Sequence, residues 1–367
     1  MRVALVIERF EPGTGGAEAV AWTIAHGLAQ RGDQVEVIAR SAADSPEFAV
    51  RRVAVPHGWQ PLRVLGFSAA AARAIADSRA DCVLSFSRTR RQHVYRAGAG
   101  SHADYMERRY GRLHRLFRLS PRHAVLLAVE RRIFRDPRQR VLCSSEMVRS
   151  EIRRRYAVPA ERLPIVRNGV DLERFHPRNR AGSGAKLRAE LGAGGAPVWL
   201  FAGSGFERKG LDTALRALAR SGRAATELWV AGRDAQARWQ RLARRLGVAS
   251  RVSFLGFKRD LAPVYAAADA LFLPSRYDAF GNVCLEAAAA GLPVVTSGAV
   301  GTAELLRDSG GVVPDPEDVA GFARELERLD QPALRARRGA DARKIAETLS
   351  WDRQIDALRA ELERAAA

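Results

Sequence analysis

Short runs of apolar residues recur along the chain, each followed by a stretch in which apolar positions return at the spacing of a helix face. Positions 3–7, 34–39, 82–86 and 140–144 read as strands, with helices over 17–30, closed by Gly32, and over 68–78 and 146–156. The rhythm then restarts, with strands at 198–202, 227–231, 252–255 and 270–273 and helices over 212–220, 235–246, 261–267 and 285–290. Strands that are apolar throughout suit a parallel sheet covered on both faces. Two such series predict an α/β protein with two doubly wound, Rossmann-like parallel sheets facing across a cleft. The expected domains are 1–167 and 168–349, with the charged helix 350–367 packing back on the first. Residues 178–195, rich in Gly, Ser and Arg, read as an irregular bridge between the halves or a loop just after it.

The chain's 367 residues suffice for two cores of ordinary size. Cys82, Cys143 and Cys284 are odd in number and lack metal-type spacing, which suits a reducing cytosol. The first eight residues form a strand interrupted by charge rather than a signal peptide, and the best apolar run, 124–129, is far too short to span a bilayer. A cytoplasmic, soluble or peripheral protein is therefore expected. Sixty basic against 41 acidic residues give a formal net charge of +19. Lys186, Lys209, Lys258 and Lys344 are the only lysines, so the basic excess is almost all arginine, a composition that codon bias can produce. The remaining imbalance creates a field that attracts anionic surfaces. No zinc, RNP or homeodomain pattern accompanies it, and no nucleic-acid partner is expected.

The densest chemistry lies just past the strand at 270–273. Asp278 and Glu286 flank a turn containing Phe280, Gly281, Asn282 and Val283, which feeds an Ala-rich helix closed by Gly291. In open α/β sheets, ligands bind at the carboxyl ends of the strands, and free N–H groups at a helix start favour anionic or hydroxyl-rich ligands. Either the two carboxylates meet different parts of an extended ligand, or Asp278 caps the helix and Glu286 is solvated. A second strand end carries Gly203, Ser204, Gly205, Phe206, Glu207, Arg208, Lys209 and Gly210. There the guanidinium and ammonium suit a diphosphate leaving group. The chain has no D-x-D pair, so no metal is expected to bridge that diphosphate. After the first strand, residues 11–18 place Gly13, Gly15 and Gly16 before a helix. This is either a phosphate-approaching loop or a tight connection, and its spacing does not fit the dinucleotide G-x-G-x-x-G.

The stretch 168–175 (NGVDLERF), the Arg208-Lys209-Gly210 turn, 252–256 (VSFLG) and the block 278–295 together resemble glycosyltransferase family 4, of GT-B architecture, over nearly the whole chain. The turn at 206–210 and the stretch 93–98 (HVYRAG) resemble members that add glucose to lipopolysaccharide core. The resemblance implies retaining, metal-independent transfer of a hexose from a nucleotide diphosphate sugar, UDP-glucose, to a lipopolysaccharide core or related glycolipid at the inner face of the cytoplasmic membrane. It implies that Glu286 binds the ribose, that Asp278 and the amides of Phe280, Gly281, Asn282 and Val283 bind the sugar, and that Arg208 and Lys209 hold the diphosphate. Leu255 and Gly256 would offer backbone groups to the base, while Gly15 and Gly16 would close over the phosphates. Family members carry E-x7-E where this chain begins with the shorter Asp278. Ser204 stands where many carry an arginine, whose part Arg208 takes. Alternatives are another donor, another cell-surface polysaccharide as acceptor, or an inactive GT-B scaffold, the last disfavoured by the retention of Arg208, Lys209 and Glu286.

The family is described by front-face attack, the leaving phosphate accepting the acceptor's proton, so positioning and charge stabilisation carry the catalysis. His102 is the candidate from the first domain that faces the donor sugar, against a loop histidine bonded to backbone. Between 105 and 135, arginines interleave with bulky residues, and Leu113, Leu116 and Phe117 fall at helical spacing. This is the make-up of a helix in an anionic membrane interface, or of an amphipathic helix packed on its own domain.

Overall fold

The computed structural model describes every residue except Thr14, Pro56, His57, Arg223 and Ala224. The chain forms two compact units, Met1–Gly169 with Trp351–Ala367, and Val170–Ser350. The first unit holds β1 (Arg2–Phe10), α1 (Gly16–Gln30), β2 (Gln34–Ala42), β3 (Ala49–Arg52), α2 (Gln60–Asp77), β4 (Cys82–Ser85), β5 (Val94–Ala97), α3 (His102–Tyr110), α4 (His114–Phe117), α5 (Pro121–Arg135), β6 (Arg140–Cys143) and α6 (Glu146–Tyr156). Its sheet runs β3-β2-β1-β4-β5-β6, parallel throughout. The second unit holds α7 (Ser183–Glu190), β7 (Val198–Ala202), α8 (Leu211–Arg220), β8 (Glu227–Ala231), α9 (Ala237–Arg245), β9 (Val252–Gly256), α10 (Ala262–Ala267), β10 (Ala270–Leu273), α11 (Asn282–Ala289), β11 (Val294–Ser297), α12 (Ala303–Leu306), β12 (Gly311–Val313), α13 (Val319–Arg328) and α14 (Pro332–Glu347). Its sheet, also parallel, runs β12-β11-β10-β7-β8-β9. The last helix, α15 (Trp351–Ala366), belongs to the first unit.

These elements follow from burial. Every residue of β7 and β10 is buried, as expected for central parallel strands sandwiched between helices. Helix α8 turns Leu211, Leu215 and Leu218 inward at helical spacing, and each such side chain contributes about 2 kcal/mol by leaving water. Helix α15 buries Ile355, Leu358 and Leu362 in the first core, where Ile355 fills the space that Gly27 leaves open on α1. Arg359 of α15 bonds the fully buried Asp33 carboxylate at 2.9 Å.

Three expectations are corrected. Residues 178–195 are irregular only in part, chiefly over 191–195. A 3-10 turn at Pro177–Arg180 leads into α7, whose Gly184 lies where a Cβ would stand 2.5 Å from the carbonyl oxygen of Ala266, so the glycine that suggested a loop instead permits close packing. Helix α2 begins eight residues before the predicted start at 68, because Pro61 sits in its first turn, where a missing N–H is harmless. The basic stretch 105–135 is not one helix: α3 ends at Gly111, which has φ +50°, and a 3-10 turn, α4 and α5 follow. Among the described residues, no helix is long and apolar enough to cross a membrane.

Candidate functional site: a cationic turn against an acidic loop

Two strand-to-helix connections of the second unit are fastened together. Gly210, with φ +78°, lets the start of α8 approach the end of β10, where a Cβ would lie 1.9 Å from the carbonyl oxygen of Pro274. The backbone N–H of Arg276 donates to the carbonyl oxygen of Arg208 (2.8 Å), and Arg208 Nη1 donates to that of Tyr277 (2.8 Å). Arg276 completes the clasp with a bidentate pair to Asp212 at 2.9 and 2.7 Å. The strand ends thus hold Arg208, Lys209 and Asp278 in one place. Lys209, 6% exposed, donates from Nζ to Asp278 Oδ2, and Arg208 Nη1 lies 3.9 Å from the same oxygen.

The pair has a clear electrostatic logic. Burial alone would raise the Asp278 pKa, but Lys209, Arg208 and the Phe280 N–H hold it below the ordinary carboxylate value. Asp278 does not cap the following helix. Gly281 is the N-cap of α11, with φ +89°, where a Cβ would lie 2.5 Å from Val300 Cγ1. Among the described residues the amides of Gly281 and Val283 have no partner, while Phe280 is buried and its carbonyl oxygen accepts from the Thr302 N–H at 2.8 Å. A helix start with free donors next to two cations favours an anionic or hydroxyl-rich ligand.

Glu286 lies one turn into α11. Burial raises its pKa, and Tyr265 donates to its Oε2 at 2.8 Å, leaving Oε1 without a partner among the described residues. Tyr265, fully buried in α10, was not foreseen, because a tyrosine in a short apolar helix carries no motif and pairs with Glu286 only through the fold. Ser204 is engaged locally: its Oγ accepts from the Arg233 N–H at 3.1 Å and its carbonyl oxygen from Arg208 Nη2 at 3.5 Å. Leu255 and Gly256 close β9, and the Gly256 carbonyl oxygen accepts from the Gly232 N–H at 2.9 Å.

The remaining candidates belong to the first unit. Gly15 is the N-cap of α1 in an extended conformation and Gly16 its first residue, whereas Thr14 of the same loop lies outside the described residues. His102 opens α3 and is 8% exposed. Its backbone N–H donates to the Glu130 side chain, at Oε2, at 2.6 Å, and its ring bonds the His123 ring rather than backbone, so the backbone-bonded alternative does not describe it. Glu130, 1% exposed, also accepts from Tyr156 and Arg88, and no pattern in the sequence marked it.

Burial, reinforced by Arg88, His123 and Arg122, lowers the His102 pKa from 6.5 to about 3. The folded protein keeps this ring neutral, while the unfolded chain takes up a proton below pH 6.5. The His102 contribution to stability is therefore complete above pH 6.5 and lost progressively as pH falls towards 3. His102→Asn should flatten the dependence of the urea midpoint on pH between 7.5 and 5.0 relative to the wild-type chain. Equal slopes would show that His102 does not report on folding.

Two parallel six-stranded sheets, each with a glycine-bearing turn at a strand end, form the two-domain GT-B arrangement that the sequence led us to expect. Residues 14–174 match Glycosyltransferase Family 4, and residues 196–331 match Glycosyl transferases group 1. The chain is 30% identical over 358 residues to the lipopolysaccharide glucosyltransferase WaaG of Escherichia coli (strain K12), covering 95% of each protein. A crystal structure of WaaG, a glycosyltransferase involved in lipopolysaccharide biosynthesis, superposes with a TM-score of 0.87 at 28% identity, covering 98% of this chain and 99% of that one. The lipopolysaccharide core biosynthesis glycosyltransferase LpsE of Rhizobium meliloti (strain 1021) is 39% identical over 137 residues, 36% of this chain and 39% of LpsE. Anabaena HepE in complex with UDP-glucose shares the fold, with a TM-score of 0.73 at 19% identity over 99% of this chain and all of that one. The chain belongs to glycosyltransferase family 4 and is a hexosyltransferase.

Proposed function

We propose that this enzyme transfers glucose, with retention and without a metal, from UDP-glucose to a lipopolysaccharide core or related glycolipid at the inner face of the cytoplasmic membrane. The observation that carries the reading is the joint hold of Lys209 and Arg208 on Asp278 Oδ2 past the ends of β7 and β10, beside the amides of Gly281 and Val283, which have no partner among the described residues. In this reading the two cations neutralise the departing diphosphate, so no metal is needed there. Asp278 and the amides of Phe280, Gly281, Asn282 and Val283 take the sugar hydroxyls, and the free Glu286 Oε1 takes the ribose. Leu255 and Gly256 meet the base by backbone groups, Ser204 shapes the turn that presents Arg208, Gly15 and Gly16 approach the phosphates, and His102 meets the donor sugar. The leaving phosphate accepts the acceptor's proton, so no side-chain nucleophile is required. The likeness to WaaG supports the donor and acceptor classes.

Thermal stabilisation across a panel of nucleotides and nucleotide sugars, with and without EDTA, tests the reading, because a ligand that binds only the folded state raises its melting temperature. Selective stabilisation by UDP and UDP-glucose, unchanged by EDTA, is expected. Stabilisation by another nucleotide sugar would replace the donor; none at all would leave an inactive scaffold.

Segment 105–135 supplies the membrane side of the proposal. Leu113, Leu116, Phe117 and Leu119 are 57%, 64%, 42% and 80% exposed, and Arg112, Arg115 and Arg122 are exposed among them. Exposed aliphatic side chains interleaved with arginine suit an anionic lipid surface. The protein should co-float with phosphatidylglycerol vesicles and not with phosphatidylcholine ones, and Leu116→Asp with Leu119→Asp should abolish flotation. Flotation unaffected by both substitutions would rule this segment out.

A further inference from the structure

A chain of three side chains in the first unit ends at His102. His102 Nε2 lies 3.0 Å from His123 Nδ1, and His123 Nε2 lies 3.4 Å from the Tyr110 hydroxyl. The two imidazoles are 8% and 6% exposed and stack at 5.1 Å between centroids, while Tyr105 stacks against His102 at 5.9 Å. The frame around them is firm. His123 and Glu130 stand two turns apart on α5, and so share a face. The Glu130 carboxylate receives the backbone N–H groups of His102 and Ala103, at 2.6 and 3.3 Å. Tyr110 is held from outside by Phe117, stacked at 4.0 Å with 16° between the rings. The remaining ring nitrogen of His102, Nδ1, has no partner among the described residues.

A neutral imidazole carries one N–H, and the hydrogen bond made by one nitrogen decides the role of the other. A phenol is a stronger acid than an imidazole N–H, and an imine nitrogen is a better acceptor than a phenolic oxygen. The Tyr110 O–H therefore donates to His123 Nε2. The His123 proton must then sit on Nδ1 and point at His102 Nε2, so the His102 proton sits on Nδ1, at the nitrogen left open. Burial together with Arg88 and Arg122 keeps both rings in the neutral form that this chain requires. We propose that Tyr110 and His123 are positioning residues that fix the proton of His102 on Nδ1, so that His102 offers an N–H donor to a substrate oxygen and does not serve as a base. That the oxygen belongs to the donor sugar rests on the function proposed above; the placement of the proton does not.

The test separates the two. In the ligand-free full-length protein labelled with 15N-histidine, two-bond 1H–15N correlations at pH 7 report which ring nitrogen carries the proton, with His102→Asn and His123→Asn assigning the signals. His102 should be protonated on Nδ1. Tyr110→Phe keeps the ring stacked on Phe117 but removes the O–H, and should release His102 into a mixture of tautomers. Protonation on Nε2 in the wild-type protein, or a tautomer unchanged in Tyr110→Phe, overturns the proposal. In transfer assays, Tyr110→Phe and His123→Leu should lower kcat/KM by up to about tenfold, the size of one lost neutral hydrogen bond. His123→Asn, whose amide nitrogen replaces Nδ1, should recover most of that loss. Wild-type kcat/KM in both Tyr110→Phe and His123→Leu, in variants whose melting temperatures match the wild type, would overturn the substrate contact. Failure of the nucleotide-sugar panel would instead strike the donor reading, leaving the tautomer in the free protein to be judged by its own spectrum.

Discussion

Lys209→Ala is expected to lower kcat/KM for hexose transfer by about a thousandfold and to destabilise the second unit in the same step. The two effects share one cause. Among the described residues Lys209 Nζ is the closest cation to the Asp278 carboxylate, which also meets Arg208 Nη1 at 3.9 Å and the Phe280 N–H at 3.4 Å. With the lysine gone, burial pushes the Asp278 pKa up, and a buried charge left without its partner costs about 3 kcal/mol. The sign with pH follows. Asp278 now stabilises the fold at neutral pH and loses that contribution as pH falls through its depressed pKa; in the variant this contribution shrinks across the neutral range. Catalysis suffers separately, because the ammonium that would meet the departing diphosphate is absent. Pairing Lys209→Met with Asp278→Asn distinguishes the two roles. The double variant removes both charges and should recover much of the urea midpoint while remaining inactive. The single variant should also lose the stabilisation that UDP gives the wild-type chain. UDP-induced stabilisation persisting in Lys209→Ala would remove the lysine from the donor site.

Periodicity revealed most of this architecture, because parallel strands buried on both faces write themselves as unbroken apolar runs. β7 and β10 do so, and the glycine and proline at their ends mark the connections. Where that signal weakens, the reading weakened with it. β5 has an arginine in the middle of its four buried residues, so residues 93–98 read as a motif and the strand passed unseen. Arg96 bonds Asn168 Oδ1 at 2.6 Å, a partner 72 residues away that no window along the chain could supply. The site divides in the same manner. Arg208, Lys209, Asp278 and Glu286 stood out because chemically active residues flank glycine turns at strand ends. Tyr265, Glu130 and His123 did not, since each acts on a distant residue through packing. The cationic stretch 105–135 was legible as chemistry and illegible as shape. Its exposed leucines lie around a 3-10 turn and a four-residue helix, because Gly111 turns the chain out of α3.

Gly210→Ala should be the most damaging single-methyl change in the site, destabilising the second unit by about 4 kcal/mol or more. A left-handed backbone at φ +78° by itself costs an alanine about 1–2 kcal/mol. The larger share comes from contact. The new methyl would lie 1.9 Å from the Pro274 carbonyl oxygen and 2.8 Å from its carbon, and backbone atoms cannot rotate away as a side chain could. Relief requires the start of α8 to retreat from the end of β10, which breaks the bonds from Arg276 N–H and Ser275 Oγ to the Arg208 carbonyl oxygen, at 2.8 and 3.3 Å. Lys209 then loses its place opposite Asp278. Gly205→Ala, in the same turn, is the comparison: φ is +76° there, yet the nearest atom to a Cβ is Arg208 Nε at 3.9 Å, so strain is present without collision. Urea unfolding followed by tryptophan fluorescence should place the midpoint of Gly210→Ala far below that of Gly205→Ala. Equal midpoints would mean that the backbone conformation, and not the approach of α8 to β10, is what demands glycine at position 210. The position of Lys209 would then depend on the clasp of Arg276 with Asp212 instead.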